Sequence, residues 1–245
     1  MHLIHFDTID STNTYAKNLL KKEGLPDGET LLVTADEQTA GRGRLGRSFS
    51  SSRGNGLYMT AAFYVGKRPE EALFITAAAA VAVSEILESC GSGRLRIKWV
   101  NDIFQNEKKI CGILTEAVTD MDTQLMDYAV VGVGINIDAD LCMLPETAGS
   151  LYGLKASNKE LAVMISERTE TLSLAALSSD EGRNEILRRY RERSMMTGRE
   201  VFWEEDGSLI TGTVKGIDDE CRLIVDTETG RRVLDSGYIS VKSLQ

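Results

Sequence analysis

Between Arg94 and Val100, apolar and charged positions alternate. Leu95, Ile97 and Trp99 fall on one face and Arg96 and Lys98 on the other, the period-two pattern of a half-buried strand. Short apolar or β-branched runs predict further strands at Leu3–Phe6, Thr30–Ala35, Leu57–Val65, Lys109–Val118 and Tyr128–Ile137. Asn13–Lys22 has the spacing of a helix that ends near Gly24. Glu70–Ser89 is Ala-rich and apolar almost all round, so it predicts a buried helix opened by Pro69. Two Ser-x-x-Glu boxes, Ser157 with Glu160 and Ser178 with Glu181, precede helix-period residues and predict two more helices.

From about Met195 the texture changes. Five short strand candidates follow: Glu200–Glu204, Leu209–Ile217, Arg222–Asp226, Arg231–Leu234 and Tyr238–Lys242. Turns are expected at Asp206-Gly207, Asp218-Asp219, Thr229-Gly230 and Ser236-Gly237. The expected organisation is an α+β domain over residues 1–194 and a small β-barrel over 195–245.

Composition narrows the chemistry. Hydrophobic residues make up 42% of the 245 positions, enough for a sizeable core. The charge is 28 Lys+Arg against 37 Asp+Glu, or −9, which argues against broad nucleic-acid binding. His2 and His5 are the only histidines, which disfavours Ser-His-Asp and Cys-His mechanisms and a His-rich zinc site. Cys90, Cys111, Cys142 and Cys221 are scattered, so reduced thiols in a cytoplasmic protein are expected. No signal peptide is evident. The most apolar run, Ala72–Val83, is short for a bilayer span, so no membrane association is expected.

The densest chemical signal is Gly41-Arg-Gly-Arg-Leu-Gly-Arg47. It satisfies G-x-G-x-x-G, but residues 48–56 (Ser-Phe-Ser-Ser-Ser-Arg-Gly-Asn-Gly) cannot open the helix that a dinucleotide fingerprint requires. A kinase glycine loop fails too, for want of downstream signatures. What remains is a glycine-rich loop carrying Arg42, Arg44 and Arg47, three like charges that an anionic ligand would reconcile. The plain alternative is a solvated surface loop. Lys98-Trp-Val-Asn-Asp102 places Lys98, Asn101 and Asp102 at a strand end, to meet phosphate or a hydrated Mg²⁺, or simply to turn the chain. Lys109 begins a strand in which Gly112 leaves room for a ligand or a packed neighbour, and Gly132-Val-Gly-Ile-Asn136 repeats that theme. Ser11, Thr12 and Asn13 cap a helix or bind a small polar group, and Gln38 offers a donor and an acceptor nearby.

These segments together resemble the biotin protein ligases, relatives of the lipoate ligases. The resemblance is carried by D-S-T-N-T-Y-A at 10–16, D-E-Q-T-A-G-R-G-R-L-G-R at 36–47, G-N-G-L-Y at 54–58, K-W-V-N-D at 98–102, K-I-C-G-I-L-T-E at 109–116 and G-V-G-I-N at 132–136. It implies a mixed central sheet flanked by helices, as in class II aminoacyl-tRNA synthetases, with an SH3-like C-terminal barrel. It implies biotin and ATP as substrates, Mg²⁺ with the ATP, and biotinyl-5′-AMP as intermediate. The acceptor would be a lysine of a biotin carboxyl carrier domain in a carboxylase. Ser11, Thr12, Asn13 and Gln38 would contact the ureido ring of biotin, with Gly112 beside it. Arg42, Gly43 and Arg44 would lie in a ligand-ordered loop near carboxylate and phosphate, and Arg47 near the ATP phosphates. Lys109 would act electrostatically at the reacting acyl-phosphate, ahead of Arg44 and Arg47. Lys98, Asn101 and Asp102 would serve the nucleotide, metal or incoming lysine, and Asn136 and Phe49 the adenine.

Phe49 stands where the family usually has Trp, Val100 where it usually has Pro and Ser52 where it often has Pro. The resemblance begins at residue 10, so a monofunctional ligase without an N-terminal DNA-binding domain is expected. The sheet edge leaves a homodimer open. Three other readings stay in play: a lipoate-type ligase, a non-catalytic adenylate sensor, and an adaptor built on the barrel, whose only aromatics are Phe202, Trp203 and Tyr238.

Overall fold

The computed structural model describes residues 1–26, 28–205, 207–235 and 240–241. Asp206, Ser236, Gly237, Tyr238 and Lys242, expected in turns and the last strand, lie outside the described residues.

The larger sheet has seven strands: β1 (His2–Phe6), β2 (Thr30–Ala35), β3 (Gly56–Lys67), β4 (Arg96–Lys98), β5 (Asp102–Gln105), β6 (Lys108–Thr119) and β7 (Met126–Asn136). They lie in the order β1-β2-β3-β7-β6-β5-β4. The β1–β2 pair is parallel and the other pairs are antiparallel, so the sheet is mixed. Helices cover both faces. On one side α1 (Thr12–Glu23) sets Ala16 and Leu20 against Leu31, Val33, Ala62 and Val130. On the other, α2 (Ala72–Ser89), α3 (Asn158–Ser178) and α4 (Asp180–Arg193) complete the main core with Leu32, Ala61, Phe63 and Val131. Successive residues of β2 therefore enter different cores, which explains why Thr-Leu-Leu-Val-Thr-Ala is apolar without alternating.

With the turn before it, residues 69–89 are long and apolar enough to cross a membrane by composition, with mean hydropathy 1.6. Here α2 is a core helix: every residue from Phe74 to Ser84 is buried. Its apolar surface is spent on the sheet and on α3, not on lipid.

Three local expectations need correction. Arg94–Val100 forms only the three-residue β4, because the chain turns at 99–101. Asp102 opens β5, and does not belong to a turn: Lys98 pairs with Asp102 across a tight hairpin. The second capping box is also displaced. Ser178 is the last residue of α3, and Ser179 caps α4 by accepting the Gly182 N–H, so Glu181 has no reciprocal role. The first box forms as expected between Ser157 and Glu160.

The second sheet has five strands, β8 (Glu200–Glu205), β9 (Ser208–Ile217), β10 (Leu223–Thr227), β11 (Gly230–Leu234) and β12 (Ser240–Val241), in the order β11-β10-β9-β8-β12. Neighbours run antiparallel, a small barrel of the SH3-like kind. Val201, Trp203, Val214 and Leu223 join the same buried cluster as Ile97 and Trp99. The Trp99 indole N–H donates to the Cys221 carbonyl at 2.9 Å, and Arg191 donates to the Ile217 carbonyl at 3.0 Å.

Candidate active site

The site lies on the α1 face of the large sheet. Two cross-strand rows make its floor: Thr60–Gly132–Leu114, and Tyr58–Gly134–Gly112. Small residues at the row centres keep the floor low. At Gly132 a Cβ would sit 2.3 Å from Asn13 Oδ1, and at Gly134 one would sit 2.5 Å from the Phe49 ring. Neither position tolerates a side chain without moving a wall of the site.

The cavity above this floor is lined by Ser11, Thr12, Asn13, Gln38, Arg42, Gly43, Phe49, Asn101, Lys109 and Gly112, together with Met59, Ile113, Leu114 and residues 132–134. The segments singled out in the sequence thus converge from α1, the glycine-arginine loop, β6 and the β4–β5 turn. Other candidates stand beside the cavity. Asp102 Oδ1 meets Lys109 Nζ at 2.7 Å, and Arg44 donates to Asn101 Oδ1 at 3.1 Å. Lys98 sits opposite Asp102 on β4. Arg47 is exposed on the loop, away from the lining, and the buried Asn136 uses its amide N–H on the Gly149 carbonyl at 2.9 Å.

The α1 entrance has defined polarity. Ser11 caps the helix, its Oγ facing the Thr14 N–H at 3.4 Å. The Thr12 N–H donates to Gln38 Oε1 at 2.9 Å, and Gln38 Nε2 donates to the Ser51 hydroxyl at 2.9 Å. Ser11, Thr12 and Asn13 are all buried, so these polar groups are held and not swept by solvent.

The glycine-arginine loop is a small pinched hairpin. Arg42 bridges Ser48, Gly43 N–H donates to Arg47 O at 2.7 Å, and Phe49 N–H donates to Gly41 O at 2.9 Å. Residues Arg44–Gly46 make a single 3₁₀ turn at its tip. Burial pulls the Arg44 guanidinium below its ordinary pKa, against the raising influence of Asp102 and Tyr190. Phe49 places its ring over Gly112 and Gly134, with its edge toward Tyr58 at a centroid distance of 6.4 Å.

Cys111 lies between Ile110 and Gly112, fully buried on the opposite side of β6, in the core. Burial pushes its thiol far up, so it stays neutral and is no nucleophile. The chemistry this site can offer is therefore electrostatic: cations from Lys109, Arg42 and Arg44 around a small polar pocket.

Sequence reasoning assigned no role to Thr60, Lys17 or Glu116. Thr60 is fully buried, 2.8 Å from the Thr12 hydroxyl and 2.6 Å from Asn13 Oδ1. Glu116 accepts from Lys17 Nζ at 2.5 Å and from Asn13 Nδ2 at 2.9 Å, with Arg42 at 3.7 Å. A period-two signal was available for Glu116, since it shares a strand face with Gly112 and Leu114.

Comparison with known proteins agrees with this arrangement. The sequence model of the biotin/lipoate A/B protein ligase family matches residues 5–136, and that of the biotin protein ligase C terminal domain matches residues 198–242. The bifunctional ligase/repressor BirA of Bacillus spizizenii is 31% identical, over 98% of this chain and 74% of that protein. The biotin–[acetyl-CoA-carboxylase] ligase of Mycobacterium tuberculosis is 26% identical, over 95% of this chain and 87% of that protein. Among solved structures, the Aquifex aeolicus biotin protein ligase in complex with biotin and ATP superimposes with a TM-score of 0.77 at 29% identity, covering 98% of each chain. A match over more than half its length, with this fold and this cavity, establishes that the chain belongs to the biotin/lipoate A/B protein ligase family.

Proposed function

We propose that this chain is an ATP-dependent biotin protein ligase. It joins the biotin carboxylate to the α-phosphate of ATP, releasing pyrophosphate, and then passes the biotinyl group from the mixed anhydride to a lysine amine of a carboxylase carrier domain, releasing AMP. One observation carries this reading: a cavity with uncharged hydrogen-bonding groups at one end (Ser11, Thr12, Gln38) has Arg42 and Lys109 on its wall. A cyclic urea suits the first end, and a carboxylate meeting a phosphate suits the cations.

Within the proposal, Ser11, Thr12 and Gln38 take the ureido ring and Gly112 leaves it room. Lys109, with Arg42 and Arg44, stabilises charge as the acyl-phosphate forms. Arg47 takes the outer phosphates and Phe49 the adenine. Asn136 supports the wall near the adenine, because its amide is already committed to Gly149. Lys98 serves the nucleotide or the incoming lysine. Gly43 gives the loop a backbone N–H approach. Mg²⁺ would enter with ATP. The oxygen donors at hand, Asp102 beside Lys109 and Asn101 beside Arg44, fit a hard cation that draws most of its ligands from phosphate and water. Such an ion would supply charge neutralisation. The proposal also takes residues 1–194 as the catalytic domain and 195–245 as the SH3-like domain, with the chain at work in the cytoplasm. A second copy would pair through the sheet edge at β1, which sedimentation against concentration tests.

The deciding experiment is exchange of labelled pyrophosphate into ATP, dependent on an added acid. Exchange with biotin and not with lipoate or octanoate is expected. Exchange only with lipoate or octanoate would move the assignment to the sister activity, and none with any acid would favour a sensor.

A further inference from the structure

The turn at 99–101 carries Asn101, whose Oδ1 accepts Arg44 from the tip of the glycine-arginine loop at 3.1 Å. The direction of that amide is fixed by β6. The Asn101 carbonyl accepts the Ile113 N–H at 2.9 Å, and Asn101 Nδ2 donates to the Ile113 carbonyl at 2.8 Å. A carbonyl only accepts, so the NH₂ end must face Ile113 and Oδ1 is left for Arg44. The peptide that follows Asn101 is thereby fastened to a strand of the sheet.

The peptide that precedes it is fastened from α4. Tyr190 donates its hydroxyl to the Val100 carbonyl at 3.1 Å. The residue is fully buried in the main core, in the same cluster as Ile97, Trp99 and Leu187, and it does not line the cavity. Burial pushes its phenol well up, so it keeps its proton and acts as the donor. A core ring needs no hydroxyl, and burying one costs free energy unless it finds a partner. The partner here is the carbonyl that sets the plane of the Val100–Asn101 peptide. With only the Ile113 side held, Asn101 would pivot about that edge and carry Oδ1 off the Arg44 guanidinium.

We propose that Tyr190 is a positioning residue of the ligase reaction: through the Val100 carbonyl it aims Asn101 at Arg44 and so keeps the glycine-arginine loop shut over the adenylate. The inference rests on the biotin reading, which supplies that adenylate.

The test is the release of biotinyl-AMP from preloaded enzyme, measured for Tyr190→Phe, Arg44→Ala and the double variant. Ser179→Ala serves as a control, because it loosens α4 at its N-terminus without touching the turn. Tyr190→Phe should release the adenylate about fivefold faster than wild type, the scale of one neutral hydrogen bond. Since the effect runs through Arg44, the double variant should match Arg44→Ala alone to within about twofold. Ser179→Ala should release at the wild-type rate. Tyr190→Leu leaves room for a water at the Val100 carbonyl and carries the test if Tyr190→Phe does not fold. Wild-type release from a folded Tyr190 variant overturns the proposal. So does a Tyr190 effect that persists undiminished without Arg44. Equal acceleration in Ser179→Ala overturns it as well, since loss of fold stability would then be the cause. A wild type that forms no biotinyl-AMP overturns the biotin reading itself, and this inference with it.

Discussion

In the proposed reaction, Lys109 is the residue on which the chemistry turns. Its ammonium sits 2.7 Å from Asp102 and on the cavity wall, close to where negative charge would build as carboxylate and phosphate combine. Removing one such preorganised charge typically costs about 10²–10³ in rate. Lys109→Ala should therefore lower biotin-dependent pyrophosphate exchange by that factor while leaving the melting temperature near wild type. Near-wild-type exchange would remove Lys109 from the reacting centre. Arg44 plays a different part. Its 3.1 Å bond to Asn101 ties the loop tip to the β4–β5 turn, which in the proposed reaction would close one wall over a hydrolysable adenylate. Arg44→Ala should release biotinyl-AMP roughly tenfold faster, the scale of one charge-assisted hydrogen bond. A chase experiment reads this directly, and unchanged release would deny the loop a retaining role. At this scale the sequence was informative about which segments meet at the cavity, since Arg42 and Lys109 both line it. It was silent on Thr60 and Glu116, whose contacts with Thr12 and Asn13 exist only because β3 and β6 bring them against α1.

Elements were legible where a local rule acts alone. Gly24, with φ +67°, ends α1, and the reciprocal Ser157–Glu160 box starts α3. Local rules misled where two of them competed. Ser178 and Ser179 both offer capping hydroxyls, and the chain resolves the tie by geometry. Ser178 Oγ donates back to the Leu174 carbonyl at 2.6 Å, while Ser179 adopts an extended backbone and accepts the Gly182 N–H at 3.1 Å. The assignment can be checked by paired substitutions. Ser179→Ala should destabilise the fold by about 1 kcal/mol, the usual worth of an N-cap. Ser178→Ala should leave stability almost unchanged, since a back-bonded serine in a last turn gives the helix little. Equal losses in urea unfolding would refute the one-residue shift. β5 escaped notice for a similar reason: Asn-Asp is a good turn pair, yet the turn at 99–101 finishes before Asp102, which starts the return strand.

At the level of the whole molecule, the two sheets share one buried cluster, because Trp99 and Ile97 pack with Val201 and Trp203. No local pattern announces a contact between Trp99 and Cys221, 122 residues apart. The acidity of the chain, −9 overall, was plain from the sequence, but its consequence for stability depends on where the carboxylates sit. Burial pushes Glu116 up, yet its partners Lys17, Asn13 and Arg42 leave it below the ordinary 4.5. Hydrogen bonds from Arg188 and Arg189 take Glu185 down to about 2. Hydrogen bonds from Arg231 and from Ser157 lower Asp226 and Glu160 in the same direction. A carboxyl whose pKa is lower in the folded chain binds protons more readily when unfolded. Its contribution is thus complete above the unfolded value and is lost as pH falls toward the folded one. Stability should accordingly hold level from pH 7 to about 5 and then decline steadily toward pH 2. Glu116→Gln should flatten part of that decline, because it removes the most buried of these groups. Urea midpoints measured at intervals from pH 7 to 3 decide the matter. A midpoint that stays constant to pH 3 would show that these carboxylates have the same proton affinity in the folded and unfolded chain, and that their ion pairs do not support the fold.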